Sequence, residues 1–386
     1  MRKNDRLEQV QSPIIPVIAN WTRQTPETLS LGQGMVSYPP PHSAMQAIAS
    51  FGSQPEDHLY GSPLGHPRLL HLIQSKCRQD NHIDCGQGYQ VMVTAGSNMA
   101  FLSVIMAITD PGEEVILPMP YYFNQEMAIQ MLGSVPVPVP TLENYQLDVD
   151  AIKAAITEKT RAIVTISPNN PSGAVYTEED LRLVNALCQK HGIYHISDEA
   201  YEYFTYDGAV HFSPASLIEA ANHTISLFSL SKAYGFASWR VGYAVFPEAL
   251  LPEMLKIQDT NLICAPAISQ IAAIGALESG AEYCRQWLPE LAAIRQQVLK
   301  QLQGIADICQ VQATTGAFYL LLNIQTQLAD MELAEQLIKQ FKVAVIPGCA
   351  FGIETGCYLR LSYGMLSRER AVEAIDRLMT GLRALC

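Results

Sequence analysis

Lys232 stands in the stretch Ser229-Leu230-Ser231-Lys232-Ala233-Tyr234-Gly235-Phe236-Ala237-Ser238-Trp239-Arg240, just past the apolar run Ile225–Phe228. Its deprotonated amine is a nucleophile able to form a Schiff base with a carbonyl. Hydroxyls flank it and an arginine follows eight residues later, a set suited to holding a phosphate. Upstream lie Asn170-Pro171-Ser172-Gly173 and Asp198-Glu199-Ala200-Tyr201. Asp198 supplies an acid able to hold a pyridinium nitrogen. A Schiff-base lysine, such an acid and an Arg/Ser phosphate set are what pyridoxal phosphate requires.

These residues need a frame. Candidate strands fall at Tyr89–Thr94, Glu114–Leu117, Ser134–Val139, Ala162–Ile166, Ile193–Ser197, Thr224–Phe228 and Val241–Phe246. They are rich in Val and Ile, and several lack strict alternation, as strands buried on both faces should. Helical patterns separate them. Thr177-Glu178-Glu179-Asp180 opens one in capping-box style, with Leu181, Val184 and Leu187 on one face. Such alternation predicts an α/β fold with a mostly parallel seven-stranded sheet. Gly96-Ser97-Asn98, Asn170, Asp198 and Ser229–Lys232 each follow a candidate strand by a few residues. Ligands of open α/β sheets bind beyond the carboxyl ends of strands.

Past about residue 270 the pattern changes. A long helical stretch, Ile271 to Gln303, precedes the apolar run Gly316–Leu322. A helix near Glu332–Phe341, a strand near Val343–Ile346, the run Tyr358–Tyr363 and a final helix, Arg368–Ala384, complete a smaller α+β unit. The N-terminal segment, with Pro13, Pro16, Pro26 and Pro39–Pro41, is expected to wrap back onto it. The expected division is a large cofactor-binding domain at 46–275 and a small domain built from 1–45 and 276–386.

The chain has 386 residues, 48% hydrophobic, which leaves room for two domains. Its net charge of -12 gives no electrostatic case for nucleic acid or an anionic membrane. Nine cysteines without a CxxC read as reduced thiols in a cytoplasmic protein. No apolar h-region follows Met1–Arg6, and no apolar run approaches a membrane span. The nine histidines lack HExxH-type spacing, so no metal site is expected.

From Gly32-Gln33-Gly34 to Arg360, these motifs agree in order and spacing, and the chain resembles a fold-type-I pyridoxal-phosphate enzyme of the class I/II aminotransferase family. The resemblance implies that Lys232 carries the cofactor as a Schiff base and shuttles the substrate proton. Asp198 would pair with the ring nitrogen, and Tyr201 and Asn170 with the phenolic oxygen. Backbone amides at Gly96, Ser97 and Asn98, opening a helix, would bind the phosphate together with Ser229, Ser231 and Arg240. Tyr121 or Tyr122, with Tyr122 favoured, would stack on the ring. Arg360 would grip the substrate's α-carboxylate, beside Gly34 and Asn170. Tyr60, in Tyr60-Gly61-Ser62-Pro63, resembles the tyrosine that reaches the neighbouring subunit's phosphate, which implies a homodimer with a shared active site. Two positions depart from the usual pattern. Ser172 replaces a threonine, and Leu70 stands where an arginine commonly falls, with Arg68 displaced.

The implied reaction is ping-pong transamination between an L-amino acid and a 2-oxo acid. Aspartate enzymes add a second cation for the distal carboxylate, for which Arg23 and Arg68 are the candidates. Pro120–Asn124, Tyr201–Gly208 and Lys256–Asp259 resemble a plant group acting on methionine and aromatic amino acids. Tyr38 and Phe123 are then candidates to line an apolar pocket. The rivals are an aspartate or broad-specificity aminotransferase, and a carbon–sulfur β-lyase on the same scaffold. A cofactor-binding regulator with an appended DNA-binding domain finds no room before residue 30 and is opposed by the charge.

Overall fold

The computed structural model describes residues 4–386. Residues 1–3, which open the N-terminal segment assigned above to the small domain, lie outside the described residues. A short strand, β1 (Leu29–Ser30), comes first. The seven candidate strands then all form, as β2 (Tyr89–Thr94), β3 (Glu114–Met119), β4 (Val135–Pro140), β5 (Thr160–Ile166), β6 (Tyr194–Asp198), β7 (Thr224–Ser229) and β8 (Gly242–Pro247). They make one sheet in the order β2-β8-β7-β6-β5-β3-β4. Every pair is parallel except those of β8, which runs antiparallel to both β2 and β7.

The strand sequences dictate this placement. β5, β6, β7 and β8 are buried almost throughout, so both sheet faces are covered. One face packs Ile196, Leu227 and Ala244 against Val104 and Ile105 of the helix Ser97–Ile108. On the other, Ile116 and Ile163 meet Leu181 and Val184 of the helix Glu178–His191. The sequence of β4, Val-Pro-Val-Pro-Val-Pro, suits only an edge. Its valines donate toward β3 and its prolines leave the open side without donors, which blocks further pairing.

A second sheet has the order β12-β13-β10-β9, from β9 (Cys309–Val311), β10 (Tyr319–Ile324), β12 (Ile346–Pro347) and β13 (Cys357–Ser362). The expected single strand at Val343–Ile346 is in fact two. β11 (Val343–Ala344) pairs in parallel with β1, while β12 pairs with β13. The N-terminal segment thus does return to this region, and the helix Ile14–Gln24 buries Ile14 and Ile18 beside Ile338 and Phe351. The expected continuous helix at Ile271–Gln303 is also broken, into Ala267–Glu278, Glu282–Arg285 and Leu288–Leu302. Gly280, at φ +67°, ends the first piece, and Pro289 opens the third. Among the described residues, no helix is long and apolar enough to cross a membrane.

The helix Ala267–Glu278 packs on His42–Ala47 through Gly275, where an added Cβ would lie 2.3 Å from the Ser43 carbonyl oxygen. Backbone cannot yield as a side-chain tip can, so Gly275→Ala is expected to destabilise the fold by about 2 kcal/mol or more. Urea unfolding of the two proteins measures it.

Candidate active site

Strand ends place the chemistry. β6 ends on Asp198, β7 on Ser229, and the turn after β2 leads through Gly96 into the helix Ser97–Ile108. Because β2, β8, β7, β6 and β5 are neighbours, their ends and following loops converge on one cleft. Ser97, Asn98, Arg240, Ser229 and Ser231 line one part of it. Asn170, Tyr201, Tyr122, Asp198 and Lys232 line the rest. A wider groove between the ends of β3 and β4 and the second sheet contains none of them.

Glycines allow the close approaches. Gly96 has φ +81°, and a Cβ there would come within 2.4 Å of the Arg240 guanidinium. Its missing side chain is what brings Arg240 up to the helix N-terminus. Gly242 opens β8, and its Cβ would lie 2.6 Å from Ser97 N and 2.7 Å from Phe228 O. A helix start with free N–H groups, two serine hydroxyls and a guanidinium form an anion cradle. Gly96 itself is not in the cleft wall; it shapes the cradle from behind.

Burial drives both central ionisable groups toward their neutral forms. Lys232 is lowered to about 8 by burial first, then by the positive charge of Arg360 and Arg240, with Asp198 opposing. Its amine donates to the Gly34 carbonyl. Asp198 is raised to about 6 by burial. The Ala200 N–H, at 3.2 Å, counters that shift, the neighbouring Glu199 adds to it, and Gln125 Nε2, at 2.8 Å, again lowers it. A lysine with an accessible free-amine form near a buried acid in a cleft has the chemistry a Schiff-base site needs.

Tyr201 is buried, which raises its hydroxyl well above the usual range. It shares a hydrogen bond with the Tyr319 hydroxyl at 2.8 Å and accepts one from Asn170 Nδ2 at 3.5 Å. Arg360 is 2% exposed. Its Nη1 donates to Asn170 Oδ1 at 3.0 Å and its Nη2 to the Gly32 carbonyl at 2.5 Å. The guanidinium carbon lies 4.6 Å from the Tyr319 ring centre and 5.2 Å from that of Phe351. Its Nε is buried without a partner, and among the described residues no carboxylate pairs with it. A buried cation without a carboxylate partner is an electrostatically favourable place for an anionic ligand.

The remaining predicted residues separate. Gly34 approaches the site through its backbone, and a Cβ there would lie 2.3 Å from the Tyr319 hydroxyl. Tyr121 donates to Glu126 at 2.9 Å and faces Gly352, so Tyr122 is the one that reaches the cleft. Tyr60 is 82% exposed, away from its own chain's cleft. Neither candidate second cation lines the cleft: Arg68 pairs with Glu278 and Arg23 lies on the outer side of its helix. Tyr38 and Phe123, expected to line an apolar pocket, do not line this cleft. Tyr38 donates to the Lys232 carbonyl at 2.8 Å and stacks on Trp287, and Phe123 packs on Phe351. Gln125 and Tyr319 were not expected from the sequence. Gln125 follows Tyr122 by three residues, one helical turn, which is the only signal that it shares that face.

The donor set fits pyridoxal phosphate. The cradle suits its phosphate, Asp198 its ring nitrogen and the Lys232 amine its aldehyde. Sheet and cleft together define a fold-type-I, pyridoxal-phosphate-dependent transaminase. A family model described as aminotransferase class I and II matches residues 26–378. The chain is 34% identical to the aspartate aminotransferase of Pyrococcus abyssi, over 99% of each chain. It is 33% identical to the aromatic aminotransferase ISS1 of Arabidopsis thaliana, over 97% of this chain and 94% of that one. The crystal structure of a Pyrococcus protein superposes with a TM-score of 0.92 at 33% identity, over 98% of each. The chain belongs to the class I and II aminotransferase family and is a pyridoxal-phosphate-dependent aminotransferase.

Two measurements test these electrostatics. The folded-state value of Asp198 lies above its unfolded one, so its contribution to stability is present at low pH and is lost as pH rises through about 4 to 6. Cofactor-free Asp198→Asn is therefore expected to gain on the wild type across that window, by about 2 kcal/mol at neutral pH in denaturant titrations. Gln125→Leu removes a donor from Asp198 and is expected to weaken cofactor binding about tenfold, read by equilibrium dialysis.

Proposed function

We propose that this aminotransferase acts on L-amino acids with apolar side chains, methionine and the aromatic amino acids above all, and passes the amino group to a 2-oxo acid. The aromatic surroundings of Arg360 carry this reading. Tyr319 and Phe351 flank the guanidinium, Tyr122 and Tyr201 line the adjoining cleft, and among the described residues neither Arg23 nor Arg68 lines that cleft. Such walls suit an apolar side chain. The aromatic aminotransferase among the relatives supports the reading. A relative named as an aspartate aminotransferase supports the alternative of aspartate or broad specificity.

Each residue then has a task. Arg360 and Asn170, with Gly34 alongside, orient the substrate carboxylate and hence Cα. Lys232, whose free-amine form burial makes accessible near neutral pH, would take the proton from Cα and return it, from the same side, to the carbon that carried the cofactor's carbonyl oxygen. When bound, pyridoxal phosphate supplies the carbonyl that receives the amino group and a ring that drains electrons from Cα. Asp198 holds the ring-nitrogen proton, and Tyr201 with Asn170 holds the phenolic oxygen. Tyr122 covers one ring face and keeps water from it. Ser229, Ser231, Arg240 and the amides at Gly96–Asn98 fix the phosphate.

We further propose a homodimer in which Tyr60 crosses to the partner's cradle, which accounts for a tyrosine 82% exposed on a single chain. The working division is a large cofactor-binding domain at 46–275 and a small domain from 1–45 and 276–386. Nine cysteines, none of them in a disulfide, suit a reducing cytoplasmic setting.

The decisive experiment mixes the yellow holoenzyme with one amino acid at a time and follows conversion to the pyridoxamine form. Methionine, phenylalanine and tryptophan are expected to convert it, and aspartate to do so at least tenfold more slowly; the reverse order overturns the substrate reading. With an S-alkylcysteine added to the set, release of a thiol, ammonia and pyruvate would instead reveal the β-lyase, since its sulfur sits on Cβ. Lys232→Ala is expected to lose the yellow absorbance, and full turnover by that variant overturns the assignment of the lysine.

A further inference from the structure

A second carboxylate stands directly behind Asp198. Successive residues at a strand end point to opposite faces, so Asp198, on the same face as the core residue Ile196, turns into the cleft and Glu199 turns to the other face. Glu199 is fully buried. Its Oε2 accepts from Ser213 Oγ at 2.5 Å and from His211 Nε2 at 2.9 Å. Its Oε1 and the Nδ1 of His211 are buried without partners. The chain of bonds continues. Asn81 Nδ2 donates to Ser213 Oγ at 3.0 Å and to Glu202 at 2.7 Å, and the Lys76 ammonium donates to both oxygens of Glu202 at 2.5 Å. Lys76 also sits over the Phe228 ring, 4.4 Å from its centre, one residue before Ser229. The Tyr89 hydroxyl is near enough to Glu199 for its proton to be held more tightly, after the larger effect of burial.

The pattern in sequence is regular. Asp198 and Tyr201 face the cleft, while Glu199 and Glu202, each the next residue, are anchored in this buried polar chain. A hydrophobic residue would serve if the only need were to fill space, and a buried carboxylate is costly unless it does something else. We propose that Glu199 is a positioning residue for the transamination: held by Ser213 and His211, it fixes the turn that carries Asp198 and Tyr201 and sets the electrostatic field at the Asp198 carboxyl. This rests on the reading above that Asp198 faces the cofactor ring.

The field has a sign. Negative charge behind Asp198 favours positive charge on the ring it contacts, so neutralising Glu199 makes protonation of the bound cofactor harder. The groups that set the field are His211, Tyr89, Asp198 and the Lys76–Glu202 pair, with Lys232 and Arg360 on the cleft side.

The test uses the Glu199→Gln holoenzyme, which keeps shape and removes charge. Its cofactor absorbance is titrated against pH, and its affinity for pyridoxal phosphate is measured separately. The titration midpoint is expected to fall by about half a pH unit or more, with the cofactor bound several-fold more weakly. Glu199→Asp, which restores the charge, is expected to bring the midpoint back. A midpoint unchanged in Glu199→Gln overturns the proposal, even where thermal stability drops. Should that variant fail to fold, Ser213→Ala serves: it removes one donor from Glu199, leaves the charge less screened and is expected to raise the midpoint, with no movement again overturning the proposal. Asp198→Asn separates the two ideas. If it leaves both midpoint and affinity untouched, the reading of Asp198 fails; if it changes them and Glu199→Gln does not, only the present inference fails.

Discussion

Charge held out of water at the carboxyl ends of β6 and β7 is the constraint around which this protein is arranged. Asp198 and Lys232 are each driven toward neutrality by burial, one upward and one downward, and each opposes that drive in the other. Neither would be tolerated in an apolar core without partners. The fold supplies them: Gln125 and the Ala200 amide for the acid, the Gly34 carbonyl for the amine. A parallel sheet suits this task because its strand ends gather loops and helix starts in one place, where free N–H groups are plentiful.

The second sheet contributes the other half of the site. Arg360 lies on β13 with Leu321 of β10 beside it and Ile346 of β12 on the other side, so its position is set by register and not by a flexible loop. The N-terminal chain is sewn to the same sheet. Leu31 N donates to Ala344 O, and Ser362 N to Leu31 O. From that seam the chain delivers Gly32 to Arg360 and Gly34 to Lys232. Glycine is needed at the second position because the Tyr319 hydroxyl occupies the space of a side chain.

Much of this was legible in the sequence. Buried parallel strands announce themselves as Val/Ile runs, and all seven were found to within a few residues. Lys232, Asp198, Asn170, Tyr201, Ser231 and Arg240 sit in short motifs directly after those strands, so locating the strands located the cleft. What escaped notice depends on facing and distance. Tyr122 was favoured over Tyr121 and does line the cleft, but it is the turn before Phe123 that sends Tyr121 the other way. Gln125 looks like any polar helix residue until its partner is known. The break at Gly280 was hidden by helix-forming residues on both sides, and the split between β11 and β12 by continuous hydrophobicity across two different partners. Nothing in the sequence marks Glu199 and Glu202 as buried, because the groups that hold them, Ser213, His211, Asn81 and Lys76, lie outside their own motif.

The thread from Gly32 to Gly34 also means that the protein already occupies, with its own backbone, the groups its ligands will use. One carbonyl sits on the guanidinium and the next-but-one sits on the amine. On the roles proposed above, binding would be an exchange: a carboxylate arriving at Arg360 would compete with Gly32, and chemistry at Lys232 would release Gly34. Since both acceptors belong to three consecutive residues, a change at one is transmitted to the other through a few bonds. Thermodynamic linkage makes that coupling reciprocal, so whatever carboxylate binding does to the amine, the state of the amine must do equally to carboxylate affinity.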